Sequence, residues 1–321
     1  MKILIAGAGG FIGGYLCDKL REDGHDLTCV DIKPLNKWYQ IFEVNKNYSY
    51  DLKKPEFCDK FTYGQDYVFN LACNMGGMGF IENNKAECML SVLINTNLLN
   101  SSKNNGVKKF FFSSSACIYP AYKQNDYNKP FLKEEDAYPA EAEDGYGWEK
   151  LFSERMCRHF FEDFKLKTYV ARYHNVYGPH GTWDGGREKA PAALCRKFVE
   201  AKFKKTNEIE IWGDGNQLRS FMYIDDCVNG TLKLLNSNYH FPLNIGSDEF
   251  ISINKMCDIL EIISNSKPKR IYKLDAPQGV KSRCSENSLI LKTLNWKPSI
   301  KLIDGLTKTY HWIEKEYKKL N

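Results

Sequence analysis

The chain has 321 residues, of which 43% are hydrophobic and 26% are charged, with a net charge of +5. This length and composition are typical of a globular protein with room for one full domain and an accessory lobe. The positive charges are spread along the chain, and no apolar run approaches the ~20 residues of a membrane span, so we expect an anionic small molecule rather than a nucleic acid or a membrane as the partner.

The cysteines and histidines indicate the chemistry that the chain lacks. The eleven cysteines include no pair at Cys-x₂₋₄-Cys spacing, and the six histidines do not cluster. A zinc site and a disulfide framework both need such patterns. The sequence therefore predicts no metal site, free thiols and a reducing, cytoplasmic environment.

The first element is a short apolar strand at residues 2–6, followed by a helical pattern that extends to about residue 23. Between them lie Gly7, Gly10 and Gly13, in the spacing Gly-x-x-Gly-x-x-Gly. Such a turn lets the backbone approach a pyrophosphate at the N-terminus of a helix. The pattern predicts a dinucleotide-binding loop, with Phe11 and Ile12 also at the cofactor; the alternative is a plain β-turn.

Two carboxylates follow the next β-like segments. Asp31 ends a strand at residues 26–32, about twenty residues past the glycines, where a carboxylate binds the ribose hydroxyls and repels a 2′-phosphate. This position favours NAD over NADP, although Lys33 is close by. Asp51 could contact the adenine, but a lone loop aspartate is more often a turn residue.

A third apolar strand, residues 66–72, ends in a glycine-rich segment that includes Gly76. Its last residues, Leu71 and Ala72, are expected to face the cofactor, and the glycines to lie against a ligand. A helix is then predicted over residues 81–104. Successive βα units with continuously apolar strands predict an α/β protein with a Rossmann-type, doubly wound parallel sheet.

The chemistry-bearing residues follow the next strand, residues 107–112. Ser115 and Cys117 come just after it, at the sheet edge where ligands bind in such folds. Tyr146 and Lys150 are four residues apart and therefore share one face of a helix predicted over residues 146–164. Taken singly, Ser115 could be a turn residue and Cys117 a small apolar residue. Tyr146 and Lys150 could be part of a solvated helix face. Together they indicate proton transfer coupled to redox chemistry.

The composition changes after a strand at residues 168–174. A loop rich in glycine and cationic residues, 181–189, leads into a helix that carries Lys197, and suits a sugar diphosphate. The alternative without a ligand is a mobile surface loop followed by a solvated basic helix face. Residues 209–221 are predicted to form a hairpin, in which Trp212 offers a stacking face or a core side chain and Arg219 a phosphate contact. A basic turn at residues 280–283 could also close on phosphate.

These residues resemble the extended short-chain dehydrogenase/reductases that act on nucleotide sugars. Three segments are similar to the GDP-mannose 3,5-epimerase family: residues 75–81, residues 114–120, and residues 185–193 with 195–197. The segments 212–215, 219–221, 244–249 and 279–283 continue the resemblance over essentially the whole chain. The contexts of Cys117 and Lys189 are its most specific parts.

The resemblance implies a reaction and a set of site residues. Bound NAD would oxidise C4 of a GDP-mannose hexose transiently, Cys117 and Lys189 would invert C3 and C5 as an acid–base pair, and C4 would then be reduced again, giving GDP-L-galactose and GDP-L-gulose. Ser115 and a Tyr146 phenol acidified by Lys150 would act at C4. The implied substrate contacts are Gly76, Ser115, Ala116, Cys117, Asn175, Glu188, Lys189, Ala190, Lys197, Trp212, Gln217, Arg219 and Arg283.

Several expectations remain open at this stage. Cys73, Asn74, Gly145 and Leu218 depart from the family pattern, and Asn74 and Leu218 leave the substrate choice open. A nucleotide-sugar 4-epimerase, a 4,6-dehydratase and a non-catalytic NAD sensor are the alternatives. We expect a homodimer built from the helices at 81–104 and 146–164. The expected domains are NAD-binding (1–175 and 220–250) and nucleotide-sugar-binding (176–219 and 251–321).

Overall fold

The computed structural model describes residues 1–43, 46–128 and 131–320. The strands of this part of the chain are β1 Lys2–Ala6, β2 Asp26–Asp31, β3 Lys46–Ser49, β4 Tyr67–Asn70, β5 Lys109–Ser115, β6 Phe131–Leu132, β7 Lys167–Tyr173, β8 Val176–Tyr177, β9 Glu208–Trp212, β10 Leu218–Ser220, β11 Met222–Tyr223, β12 Leu243–Ile245, β13 Phe250–Ser252, β14 Lys269–Lys273 and β15 Ser282–Ser285. The α-helices are α1 Phe11–Glu22, α2 Pro55–Thr62, α3 Met78–Asn83, α4 Lys85–Met89, α5 Val92–Asn104, α6 Asp144–Phe164, α7 Ala190–Lys204, α8 Ile224–Leu235, α9 Ile253–Ser264, α10 Ser288–Leu294 and α11 Leu302–Leu320.

A seven-stranded sheet forms the centre of the molecule, in the order β12-β7-β5-β4-β1-β2-β3. All of its neighbouring strands pair in parallel. The order reverses beside β1, and in such sheets ligands bind outside the carboxyl ends of the strands at this reversal. The predicted α/β, doubly wound fold is confirmed.

The sheet is buried on both faces because alternate residues of each strand point to opposite sides. Ile3 and Ile5 of β1 pack in one core with helices α1 and α8. Leu4 and Ala6 pack in the other with α2, α5 and α6. The first core continues into the second lobe through α7, α9 and α11, so the two parts of the chain share one apolar interior.

The second lobe contains a four-stranded sheet, β13-β10-β15-β6, and a pair of parallel strands, β9 and β14. The predicted hairpin at residues 209–221 is wrong, because β9 pairs with β14 whereas β10 pairs with β13 and β15. Gly213 and Gly215 between them both have positive φ, and the amide of Gly213 donates to Lys273 O instead of across a hairpin.

The helix predicted over residues 81–104 is divided into α3, α4 and α5. Its first break is at Asn84, whose side-chain amide donates to Phe80 O, a local bond that competes with helix continuation. A second break precedes Val92, where the Ser91 hydroxyl accepts a bond from the Asn74 amide. Among the helices of the described ranges, none has both the length and the apolar composition that crossing a bilayer would need.

Candidate active site

A cavity of about 260 Å³ opens at the carboxyl ends of the central strands, between the sheet and the second lobe. Its wall is assembled from distant parts of the chain, including the loop after β4, the end of β5, helix α6, the start of α7 and strand β10. Every residue assigned above to the substrate lies in this wall: Gly76, Ser115, Ala116, Cys117, Asn175, Glu188, Lys189, Ala190, Lys197, Trp212, Gln217, Arg219 and Arg283. Of the remaining proposed catalytic residues, Tyr146 lines the cavity and Lys150 lies behind it.

Cys117 sits in a short 3-10 turn directly after β5. The Ser115 hydroxyl accepts a bond from the Cys117 amide, at 3.2 Å, and thereby fixes this turn. Arg283 Nη1 donates to the Cys117 sulfur at 3.4 Å. Burial and then the nearby Glu143 carboxylate raise the pKa of the thiol to about 11, although Arg283 and Ser115 lower it. The cationic neighbour that a basic thiol needs is therefore present, but Cys117 is protonated at neutral pH.

Arg283 is almost fully buried, and each nitrogen of its guanidinium makes one hydrogen bond to the protein. Besides its bond to Cys117, it donates from Nε to Gln124 Oε1 at 2.6 Å and from Nη2 to Glu143 Oε2 at 2.8 Å. The sequence predicts a phosphate contact from this turn. In the structure the guanidinium instead faces the thiol and a carboxylate, at the base of the cavity wall.

Lys189 precedes α7 and lines the same cavity as Cys117. Burial lowers the pKa of its ammonium group, while the Cys117 side chain raises it and Arg283 lowers it. A lysine with a lowered pKa gives up its proton more readily at neutral pH than an exposed one. The cavity thus holds both a thiol and an ammonium group that is a stronger acid than an exposed lysine.

The loop that carries Lys189 packs directly on the glycine-rich loop after β4. The Gly77 amide donates to Arg187 O at 3.0 Å. A Cβ on Gly77 would lie 2.5 Å from Glu188 O, so only glycine permits this approach. On the other side of the loop, Arg196 Nη2 donates to Glu188 Oε1 at 3.0 Å. These contacts give Lys189 a defined position although it lies outside regular structure.

Tyr146 and Lys150 share one face of α6, as predicted, and both are buried. Lys150 Nζ lies 5.6 Å from the centroid of the Tyr146 ring. Burial raises the pKa of Tyr146, as do the side chains of Cys73 and Cys117, while a hydrogen bond from Ser115 lowers it. Lys150 is paired with Glu149, at 3.5 Å, and with Cys73. The ammonium group of Lys150 thus has Glu149 as its ionic partner, and the acidification of Tyr146 by Lys150 stays a prediction.

The outer part of the cavity carries further cationic and aromatic side chains. Arg219 is only partly exposed, and burial together with Arg283 lowers its pKa to about 10. Lys197 Nζ donates to Glu210 O and lies 5.7 Å from the centroid of the Trp212 ring. That ring is 45% exposed, so it is a cavity wall rather than a core residue. Gln217 has a buried side-chain oxygen for which the described residues provide no hydrogen-bond partner.

The glycine loop after β1 has the geometry of a pyrophosphate site. Gly7 has a φ of +88°, and a Cβ on Gly13 would lie 2.1 Å from Gly7 O, so helix and strand approach as only glycines allow. Helix α1 begins after Gly10 without a side-chain cap. Its first N–H groups, beginning with those of Phe11 and Ile12, are therefore suited to bind an anion.

Leu71 and Ala72 lie directly beside this loop, and their contact with the cofactor stays a prediction. A Cβ on Gly7 would lie 2.7 Å from Leu71 C and 2.8 Å from Ala72 N. The end of β4 and the turn after β1 therefore pack backbone to backbone, which places both residues at the edge of the sheet where the cofactor is expected.

The two predicted adenosine contacts differ in their surroundings. Asp31 is buried at the end of β2, which raises its pKa, and it accepts a bond from the Lys33 amide at 2.9 Å. A buried carboxylate at this edge fits a ribose. Asp51 accepts a bond from the Lys53 amide at 2.9 Å and lies 3.9 Å from Lys53 Nζ, so its carboxylate stabilises the turn in which it lies. The loop and Asp31 together fit a dinucleotide.

Glu143 is the site residue that the sequence analysis missed. It precedes α6, where an acidic residue is usually read as favourable to the helix dipole. Its partner Arg283 is 140 residues away, so the only local signal is a carboxylate three residues before Tyr146. Cys73, which departs from the family pattern, lies against Lys150, a position that its local sequence does not indicate.

Residues 1–43, 46–128 and 131–320 contain no group of three or more His, Cys, Asp or Glu side chains placed to hold a metal ion. The ionisable groups of the cavity wall are instead a thiol, two phenols, two lysines, three arginines and two carboxylates. Such an arrangement can move protons and bind an anionic ligand.

Comparison with known proteins identifies the family. Residues 3–246 match the model of the NAD dependent epimerase/dehydratase family. The chain is 46% identical to GDP-mannose 3,5-epimerase 1 of Oryza sativa subsp. japonica, over 99% of this chain and 83% of that protein. Among solved structures it resembles the UDP-glucose 4-epimerase of Thermotoga maritima with UDP-glucose, with a TM-score of 0.88 and 26% identity over 99% of this chain and 100% of that one. It also resembles the UDP-glucuronic acid 4-epimerase of Bacillus cereus in complex with UDP-glucuronic acid and NAD, with a TM-score of 0.82 and 25% identity over 99% and 100%. The chain belongs to the NAD dependent epimerase/dehydratase family.

Proposed function

We propose that this protein is an NAD-dependent GDP-mannose 3,5-epimerase, an isomerase that inverts the hexose at C3 and C5 to give GDP-L-galactose, with GDP-L-gulose as the product of inversion at C5 alone. The observation that carries the proposal is the position of Cys117 and Lys189 in the wall of one cavity with Tyr146 and Ser115. An enzyme that exchanges only the configuration at C4 has no use for such a pair. The 46% identity to a GDP-mannose 3,5-epimerase supports the same substrate.

The glycine loop, Asp31, Tyr146 and Lys150 would hold the cofactor. When bound, NAD supplies a reversible oxidation at C4 of the sugar, which acidifies the C–H bonds on either side of it. The surroundings of Asp31 favour NAD over NADP, because a buried carboxylate repels a 2′-phosphate. The Bacillus cereus relative, which is described in complex with NAD, supports this assignment.

The protein side chains carry the protons. Tyr146 takes the proton of the C4 hydroxyl, with Ser115 bonded to its phenol. Cys117 removes a proton from carbon on one face of the ring, with Arg283 stabilising the thiolate, and Lys189 donates a proton on the other face. Inversion needs a donor and an acceptor on opposite faces, because a single residue would return the proton to the face from which it came. Arg219, Lys197, Gln217 and Trp212 would contact the GDP moiety.

The experiment that tests this function is incubation with GDP-mannose in deuterated water, followed by proton NMR of the sugar. We expect deuterium at both C3 and C5 and the appearance of GDP-L-galactose. A matched incubation with Cys117→Ser protein separates enzymatic from spontaneous exchange. Epimerisation at C4 without label at C3 and C5 would overturn the proposal in favour of a 4-epimerase.

We further propose a homodimer formed through α5 and α6. Large apolar side chains are exposed on this side, with Leu93 at 42%, Trp148 at 45% and Phe152 at 55%. Trp148 and Phe152 are four residues apart and so form one apolar stripe on α6.

A cytoplasmic location is supported by the state of all eleven cysteines, which are free. The division into NAD-binding (1–175 and 220–250) and nucleotide-sugar-binding (176–219 and 251–321) parts is likewise proposed.

A further inference from the structure

Glu143 has an unusual position for a residue at the start of a helix. It is the N-terminal cap residue of α6, yet its side chain makes no capping bond to the helix. Its backbone amide donates to Cys117 O at 2.9 Å, which ties the start of α6 to the turn that carries the thiol. The carboxylate is 13% exposed and is directed to Arg283 instead, with Oε2 at 2.8 Å from Nη2.

Arg283 connects this carboxylate to the thiol. One of its terminal nitrogens bonds Glu143 and the other bonds the Cys117 sulfur, while Nε bonds Gln124. A planar guanidinium held at three points has a fixed orientation. Removing Glu143 or Arg283 would leave the other buried charge without its partner. Each of these two charges therefore affects the titration of the thiol beside them.

We propose that Glu143 is a positioning residue for the epimerisation: its carboxylate holds Arg283 against the sulfur of Cys117 and balances the guanidinium charge there. The proposal rests on the function proposed above, since it assigns Cys117 as the proton acceptor. Glu143 acts through Arg283 and through its own charge, and not by contact with substrate.

The pKa of Cys117 is the quantity in which the effect of Glu143 and Arg283 can be measured. Its raised pKa of about 11 is due first to burial and next to Glu143, whereas Arg283 lowers it. Burial raises the pKa of Glu143, but Arg283, Cys117 and Arg219 together outweigh burial, so the net shift is downward and the group stays ionised. The other charged or titratable groups around these two are Glu82, Tyr146, Lys189 and Arg219.

The test is the pH dependence of Cys117 alkylation by iodoacetamide, followed by mass spectrometry of the peptide that contains it. In Glu143→Gln the amide oxygen still accepts from Arg283 but the negative charge is gone. The alkylation midpoint should therefore fall by about one pH unit or more, the usual effect of removing a like charge from beside a thiolate. Glu143→Asp keeps the charge and should leave the midpoint close to that of the wild type.

The matched control is Glu141→Gln, the same charge change two residues earlier at an exposed position, which should leave the midpoint unchanged. An unchanged midpoint in Glu143→Gln, or an equal shift in Glu141→Gln, would overturn the proposal. Should Glu143→Gln fail to fold, the wild type decides alone: a Cys117 midpoint at or below the ordinary ~8.5 of a thiol contradicts the assigned balance.

Alkylation needs neither NAD nor sugar, so this result is independent of the reaction. If the midpoint shifts but GDP-mannose is not epimerised, the function fails and the positioning role stands. If both hold, Glu143→Gln should also move the acidic limb of the kcat–pH profile to lower pH, with KM for GDP-mannose changed less than about twofold.

Discussion

At the scale of single residues, the protonation of the side chains around the cavity depends on how buried charges are compensated by their neighbours. Cys117 is protonated at neutral pH because burial and Glu143 outweigh Arg283. Lys150, the expected activator of Tyr146, is paired with the Glu149 carboxylate at 3.5 Å. The titration of both side chains is therefore set by burial and by neighbouring protein groups.

The role of the thiol gives a prediction at this scale. Cys117→Ser should lower the epimerisation rate by roughly 10²-fold or more, since a hydroxyl with a much higher pKa replaces the acid–base group. Bound NAD should be retained, because Cys117 lies in the sugar part of the cavity. The measurements are turnover of GDP-mannose and chromatography of the nucleotide released on denaturation.

Cys88→Ser is the control for this substitution, because Cys88 is buried in the same apolar cluster but is absent from the cavity wall. It should leave turnover within a few-fold of the wild type. Full activity in Cys117→Ser would remove the thiol from the mechanism.

At the scale of elements, the start of α1 is set by backbone contacts that no larger residue tolerates. The strand, the turn and the helix meet where Gly13 lies against Gly7 O and Gly7 lies against Leu71. The uncapped first turn of α1 then points its N–H groups at the edge of the sheet. The same principle operates at Gly77, where two loops of the cavity wall touch.

Gly13→Ala should weaken NAD binding by at least about tenfold and destabilise the fold by about 1–3 kcal/mol, because the added methyl group cannot fit 2.1 Å from Gly7 O and the turn must open. NAD titration by calorimetry and thermal unfolding measure the two effects. Gly24→Asn is the control: its Cβ would meet open space, and asparagine tolerates the positive φ there. Wild-type affinity in Gly13→Ala would show that this turn does not hold the cofactor.

At the scale of the whole molecule, the active site forms only where the two parts of the chain meet. The loops after the central strands supply the thiol and the glycines, helix α6 supplies the phenol, and the second lobe supplies Arg219, Arg283 and the Trp212 face. Both parts share one apolar core. Helices α5 and α6 lie on the opposite core, which leaves their outer faces available for a second copy of the chain.

The proposed dimer is tested by a double substitution, Leu93→Asp with Phe152→Asp. Two carboxylates in an apolar interface would each have to be desolvated, so we expect a dimer to become a monomer at micromolar concentration in sedimentation velocity. Ile262→Asp on α9, where the side chain is 74% exposed, is the control and should remain dimeric. A monomeric wild type would rule out the dimer.

Local sequence determined much of this protein. The glycine spacing predicted the turn before α1, the apolar runs predicted the parallel sheet, and the interval between Tyr146 and Lys150 placed both on one helix face, since each of these depends on neighbours within a few residues. Family resemblance then gave a set of substrate contacts that all lie in one cavity wall.

The tertiary structure alone decided how these residues are paired. Arg283 meets Cys117 across 166 residues of chain and Glu143 across 140, and nothing in the local pattern of either segment specifies that meeting. The sequence of strands β9 and β10 likewise suggests a hairpin. The two strands join different sheets, because β9 pairs with the distant strand β14 and β10 pairs with the distant strand β15. Propensity acts over one or two turns of chain, whereas burial and charge compensation depend on what the whole fold brings together.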